Sequence, residues 1–184
     1  MVIVGAFDPD ALLPEVQAKL GTIPARELGR DVVTVEPEQR GERRVELRKE
    51  AALSSVAVGW HVPETAHADF AALQLLDLIL TQGESSRLYR RLVDQDQLAL
   101  WLWGDLSQSF DPSLYLLMLQ CREGVDGPQV ENALYEEIER LAQAPVDKRE
   151  LQKAKNILLA GFYRRLASLG GKAQSLGCLL YTSD

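Results

Sequence analysis

Leu98-Ala99-Leu100-Trp101-Leu102-Trp103-Gly104-Asp105-Leu106 and, after the turn signal Phe110-Asp111-Pro112-Ser113, Leu114-Tyr115-Leu116-Leu117-Met118-Leu119-Gln120-Cys121 decide the fold class. Both runs are rich in aromatic and aliphatic residues and are bounded by turn formers, which predicts two strands. In the first, Trp101 and Trp103 point to one side and Leu100 and Leu102 to the other. The second is apolar on both faces, which places it in the middle of a sheet.

Upstream, Val56, Val58, Trp60 and Val62 alternate as a half-buried strand stopped by Pro63. Val45 and Leu47 alternate with Arg44, Glu46 and Arg48, and predict another strand forming a hairpin-like pair with it. Ala66 to Leu80 reads as a largely buried helix with a narrow polar stripe at Gln74, Asp77 and Thr81. Gly83 ends it. Ser85 or Ser86 is placed to cap a second helix from about Arg87 to Gln95, with Leu88 and Leu92 on its inner side and Arg87 able to pair with Glu84 or a buried carboxylate. Downstream, Asp126 caps a helix that buries Val130, Leu134, Ile138 and Leu141, and Pro145 closes it. Asp147 with Glu150 three residues later has the capping-box pattern for a last helix carrying Leu151, Ala154, Leu158 and Phe162. The order of elements predicts an α+β fold, a mixed or antiparallel sheet with helices packed on one face.

The front of the chain reads separately. Met1 to Phe7 is a β-branched and apolar run expected to be a buried strand. Asp8 and Pro9 then supply an N-cap and a first helical residue for a helix ending at Gly21. Pro14 inside it predicts a kink, or a helix that begins only at Leu13. Pro24 to Gly41 is charged and aperiodic, as an exposed connector would be, and the domain boundary is placed there. Residues 1–42 are thus expected to end one domain and supply the connector, and 43–177 to form a second. The last seven residues, Cys178 to Asp184, match what one frame of a transposon-adapter DNA used in sequencing libraries would encode. They are expected to be a sequencing-adapter tail, with the native sequence ending near Gly177.

Composition narrows the function. With 184 residues, 46% apolar and 26% charged, the chain has an ordinary globular composition and no apolar run long enough to span a bilayer. A soluble protein, cytoplasmic or periplasmic, is expected. A formal charge of −7 with dispersed basic residues argues against nucleic acid as a partner. Cys121 and Cys178 lack C-x-x-C spacing, so neither a disulfide framework nor a thiolate metal site is indicated. The two histidines, His61 and His67, form no H-E-x-x-H or H-x-x-E-H motif. His61 is expected on the strand face opposite Val58 and Trp60, and His67 near a helix start. Glu136, Glu137 and Glu139 read as a solvated helix face. No nucleophile elbow, P-loop or dinucleotide fingerprint occurs. No catalytic, metal or cofactor-binding residue is assigned. Trp101 and Trp103 are read as sheet packing, with a peptide-contacting surface as the sharper alternative.

Several stretches, in this order along the chain, carry a resemblance. They are Val4-Gly5-Ala6-Phe7-Asp8-Pro9, Gly59-Trp60-His61-Val62-Pro63, Ala66 to Leu73, Ile79 to Val93 with its Ser85-Ser86-Arg87-Leu88-Tyr89, Glu150 to Asn156, and Gly171 to Gly177. Together they resemble the pitrilysin/insulinase family of zinc metallopeptidases, to which the mitochondrial processing peptidases are also similar, and specifically the domain after the zinc-binding one. The resemblance implies a clamshell of two halves, each with two related α+β domains, around a chamber that hydrolyses peptides. Zinc would be held by an H-x-x-E-H helix expected upstream of Met1. This chain would supply chamber wall and domain packing, with the preceding zinc-bearing domain and the second half of the clamshell as partners. Where the family's zinc-free half carries a substrate-binding Arg and Tyr seven residues apart, this chain has Val93 and Leu100. That departure fits a domain from the zinc-bearing half or a degenerate half. Two further readings stay open: a non-catalytic structural or assembly subunit of the same fold, and an unrelated peptide-binding α+β module.

Overall fold

The computed structural model describes residues 1–25 and 36–182, with side chains as far as residue 178. It divides into two compact units, Met1–Lys49 and Glu50–Asp184.

In the first unit, helix α1 (Pro9–Leu20) begins as the Asp8-Pro9 pair dictates. The Asp8 carboxylate accepts a hydrogen bond from the Asp10 amide at 3.0 Å, and Pro9 occupies a position whose N–H would have no helical partner. Pro14 lies within α1 without delaying its start to Leu13. Two expected strands are not formed. Met1 to Phe7 has no ladder, and neither do Arg44, Val45, Glu46, Leu47 and Arg48. Val45 is 82% and Leu47 85% exposed, and Arg44 pairs with Glu42 and Arg48 with Glu46, each two residues away. Alternation describes a chain that could be half buried, but a strand exists only where a second backbone accepts its hydrogen bonds. None does so among the described residues of this unit. Of the expected connector, residues 26–35 lie outside the described residues, while residues 36–41 are exposed and irregular.

The second unit is a three-stranded antiparallel sheet with helices on one face. Strand β1 (Ser55–Val62) is followed by α2 (Phe70–Thr81), a π-helical turn (Tyr89–Gln95), β2 (Ala99–Leu106), β3 (Ser113–Cys121), α3 (Gly127–Gln143), α4 (Lys148–Ala167) and α5 (Leu169–Thr182). The spatial order is β1-β3-β2, so the run apolar on both faces is the central strand. Registers such as Val58 with Leu117 and Leu102 with Leu119 put Val56, Val58 and Val62 of β1, Leu102 and Leu106 of β2, and Leu117 and Leu119 of β3 on one side. There Val62, Tyr115, Leu117, Leu119 and Cys121 meet Leu80 of α2, Leu88 and Leu92 of the π-helical turn, and Val130 and Leu134 of α3. Trp60 stacks on Tyr115 and meets Tyr135 edge-on, with centroids 6.0 and 6.4 Å apart.

Three local expectations change. The helix from Arg87 to Gln95 becomes π-helical from Tyr89, the Asp96 amide donating to the Arg91 carbonyl five residues back. Gln97, at φ 53°, then turns the chain into β2. Neither Ser85 nor Ser86 caps it: Ser86 is buried with an unpartnered hydroxyl, and Ser85 accepts from Lys153. In β2 a bulge between Ala99 and Trp101 leaves Leu100 without a place in the alternation, so it does not share the face of Leu102 and is 46% exposed.

Candidate functional site

The two faces of the sheet differ completely. The helix-covered face is closed core. The other carries Trp101 and Trp103 from β2 and Leu114, Leu116 and Met118 from β3, beside Ala57 and Gly59 of β1. Met118 stands in register between Ala57 and Trp103, and Leu116 lies over Gly59, where an added Cβ would sit 3.0 Å from its Cδ2. Trp101 and Trp103 are 46% and 49% exposed. Sheet packing therefore accounts for only part of each indole. A contiguous apolar face of this kind is what an extended peptide or a neighbouring domain covers.

His61 projects from this same side of β1, opposite Val58 and Trp60 and in register with Leu114. His67 lies ahead of α2, where its Nδ1 accepts from the Asp69 amide at 3.2 Å. The structure does not bring either histidine into a ligand set: among the described residues, no group of three or more His, Cys, Asp or Glu side chains could hold a metal ion. The described residues do not fit a zinc site. Cys121 is buried on the core side, which pushes its thiol pKa up, and Cys178 is exposed.

Two polar arrangements escaped periodicity. The first is Asp77, on the polar stripe of α2. Its Oδ1 accepts from Tyr115 Oη and from Thr81 Oγ1, each at 2.9 Å. Burial is the main cause that holds the Asp77 carboxyl above its ordinary range, partly offset by those two donors, and burial beside Asp77 pushes the Tyr115 phenol up in turn. Gly104 of β2 makes the approach feasible, because a Cβ there would overlap Asp77 Oδ1 and stand 2.7 Å from Thr81 Cγ2.

The second joins distant segments. Arg87 Nε and Nη2 donate to the two carboxylate oxygens of Glu150 at 2.8 and 2.7 Å, a bidentate pair. The hydrogen bond from Arg87 holds the Glu150 carboxyl below its usual range. Glu150 is thereby drawn away from the reciprocal capping role its spacing suggested. Asp147 alone caps α4, accepting from the amides of Arg149 and Glu150, whereas Asp126 and Gln129 of α3 form the complete capping box. The glutamates read as a solvated face are also partly engaged. Glu136 pairs with Arg91 and Arg140, and Glu137, 12% exposed, with Arg140.

A sequence profile for the peptidase M16 inactive domain matches residues 1–158. The chain belongs to the peptidase M16 family. This is the pitrilysin/insulinase family of zinc metallopeptidases. Zinc protease PqqE of Helicobacter pylori is a relative 31% identical over 150 residues, which cover 81% of this chain and 34% of that protein. The chain thus spans about a third of the length of that curated relative. A protease structure from Helicobacter pylori superposes with a TM-score of 0.85 at 25% identity, covering 98% of this chain and 45% of that one. An inactive peptidase domain from Bordetella parapertussis matches with a TM-score of 0.65 at 27% identity, over 76% of each chain. As an M16 inactive domain the chain has the α+β fold read from its element order. No helix among its described residues is long and apolar enough to cross a membrane.

Proposed function

We propose that this chain is the non-catalytic domain of a zinc metalloendopeptidase and that the open face of its sheet forms part of the wall of the peptide chamber. The observation that carries the reading is the one-sided burial of the sheet: helices cover one face, while Trp101, Trp103, Leu114 and Met118 stay exposed on the other. A wall of this composition gives unfolded peptides a sequence-tolerant apolar surface, since aromatic rings contact any aliphatic side chain. In this reading residues 1–42 are the end of the zinc-bearing domain with its connector, 43–177 the inactive domain, and 178–184 an adapter-derived tail. The zinc ligands and the general base belong to the preceding domain, and the second half of the clamshell closes the chamber.

The isolated chain is expected to bind no stoichiometric zinc at neutral pH and to cleave no peptide, since a catalytic zinc usually needs three protein ligands and an open position for water. Adding the preceding domain and the partner half should produce peptide hydrolysis that chelators abolish. Failure of that assembly to cleave, with its H-x-x-E-H motif intact, would replace the reading with a structural or assembly subunit of the same fold.

A further inference from the structure

On the helical side of the second unit, away from the open sheet face, a cleft of about 580 Å³ lies between the π-helical turn, the end of α3 and the start of α4. Its cations are not equivalent. Arg87 is engaged by Glu150, Arg91 by Asp96 and Glu136, and Arg140 by Glu136 and Glu137. Arg90 and Arg149 line the same cleft with no carboxylate partner among the described residues, and Lys153 reaches only the hydroxyl of Ser85. Three cations without a carboxylate partner among the described residues therefore converge on one concave surface of a chain whose formal charge is −7. The carboxylates also present there are engaged, Glu150 by Arg87, Glu137 by Arg140 and Asp147 by the first amides of α4.

The cleft does not end at α4. Arg149 and Lys153 also line a shallow groove of about 540 Å³ that runs along the outer face of that helix past Ile157 and Ala160 to Arg164. At the helical rise, Arg149 to Arg164 spans roughly 22 Å, the reach of about seven extended residues. The surface thus has cations at one end, a short apolar stretch in the middle and a cation at the other end. We infer that the cleft and the α4 groove together dock a short acidic segment, with apolar residues within it, from a partner protein.

Charge complementarity selects this occupant over the alternatives. A long polyanion such as nucleic acid feels the field of the whole negative chain, whereas a short segment seated in the cleft is dominated by charges within a screening length of about 8 Å. A small inorganic anion would meet the three cations but leave Ile157 and Ala160 uncovered. An acidic peptide satisfies both parts of the surface. Its guanidinium contacts would be charge-assisted, and Arg90 and Arg149 need break no existing ion pair to make them.

The test uses the full 184-residue chain and a fluorescent peptide of alternating glutamate and leucine, followed by anisotropy at low and high salt. Binding should weaken with salt, and the paired charge reversal Arg90→Glu with Arg149→Glu should weaken it by at least about tenfold. Both positions are exposed, so the fold should survive, as circular dichroism will verify. The milder Arg90→Gln with Arg149→Gln should give an intermediate loss, and Ile157→Asp a loss that added salt does not mimic. Three results would each overturn the inference. One is no binding of the peptide, or binding indifferent to both arginine pairs. Another is displacement by millimolar inorganic phosphate, which would make this a small-anion site. The third is tighter binding of an oligothymidine than of the peptide. None of these bears on the chamber-wall reading, which concerns the opposite side of the sheet.

Discussion

Strand β3 presents two surfaces to two different environments, and consecutive residues of one strand therefore obey different rules. Leu117 and Leu119 are each 1% exposed under the helices, while Leu114 and Met118 are 41% and 38% exposed on the far side. All four are large and apolar. Residue type alone cannot separate them; what separates them is that α2, α3 and the π-helical turn cover one face and no described element of the second unit covers the other. Hydrophobic stabilisation follows area removed from water, so the inner leucines hold the fold together. The outer residues are left to do something else.

The strongest test removes an inner leucine. Leu117→Ala should destabilise the chain by about 2–5 kcal/mol, because it deletes buried methyl groups and leaves a cavity, whereas Met118→Ala one residue along should cost far less. Equal losses in denaturant melts would erase the distinction between the faces. Next in size, Gly104→Ala should cost about 1–3 kcal/mol by forcing a Cβ against Asp77 and Thr81. Restoring stability by adding Thr81→Ala, which clears part of the clash, would locate the strain.

Glu150→Gln should cost about 1 kcal/mol at neutral pH, near the upper end for a partly exposed pair, because one bidentate link joins the start of the π-helical segment to the start of α4. Glu150 has a lowered pKa in the folded state, so its contribution is complete above the unfolded carboxyl's pKa of about 4.3 and fades as pH falls through the folded value. Stability curves of the two proteins should converge in acid. Asp77 has the opposite sign. Its raised pKa means the folded state favours the protonated form; that contribution is present below the unfolded pKa of about 3.9 and is lost as pH rises through the folded value. Asp77→Asn keeps an oxygen for Tyr115 and Thr81 and should therefore be more stable than the parent at neutral pH, with the gain vanishing in acid. A destabilised variant would show that the charge is needed.

The smallest effect on stability belongs to the open face. Replacing both Trp101 and Trp103 by Thr should change stability only modestly, by about 1 kcal/mol or less, since each substitution lies outside the core. In the assembled peptidase the same change should raise KM for apolar peptides with kcat little altered, the signature of lost uniform binding. Unchanged kinetics would remove the tryptophans from the substrate path.

Read from residues alone, the layer architecture was accessible because the decisive signals are local. The Asp8-Pro9 start, the Asp126 cap and the apolar β3 run each act within a few residues, so α1, α3 and the central strand fall where their residues place them. The resemblance carried by the quoted stretches, in their order along the chain, pointed to the peptidase family to which the chain belongs. The candidate surfaces were less accessible. Trp101 and Trp103 could be named but not assigned to an open face, and nothing in the spacing of Arg90, Arg149 and Lys153 revealed that the π-helical turn and α4 would bring them to one cleft.

The difference has one physical origin. Helix caps and periodic burial are settled mostly between neighbours in the chain, so the residues alone predicted the Asp8 and Asp126 caps. The expected Ser85 or Ser86 cap and the Glu150 half of a capping box gave way to tertiary packing. Hydrogen bonds between strands, ion pairs and bulges need a partner whose position depends on the fold as a whole. Val45 and Leu47 have the same alternation as Val56 and Val58, yet only the second pair lies in a strand, because β3 supplies the backbone beside it. Arg87 could choose among carboxylates in the sequence, and it is the packed arrangement of α4 against the rest that delivers Glu150, 63 residues away, to its Nε and Nη2. Pairing across that distance costs loop entropy that only the assembled core repays, so it belongs to the folded chain and not to any segment of it.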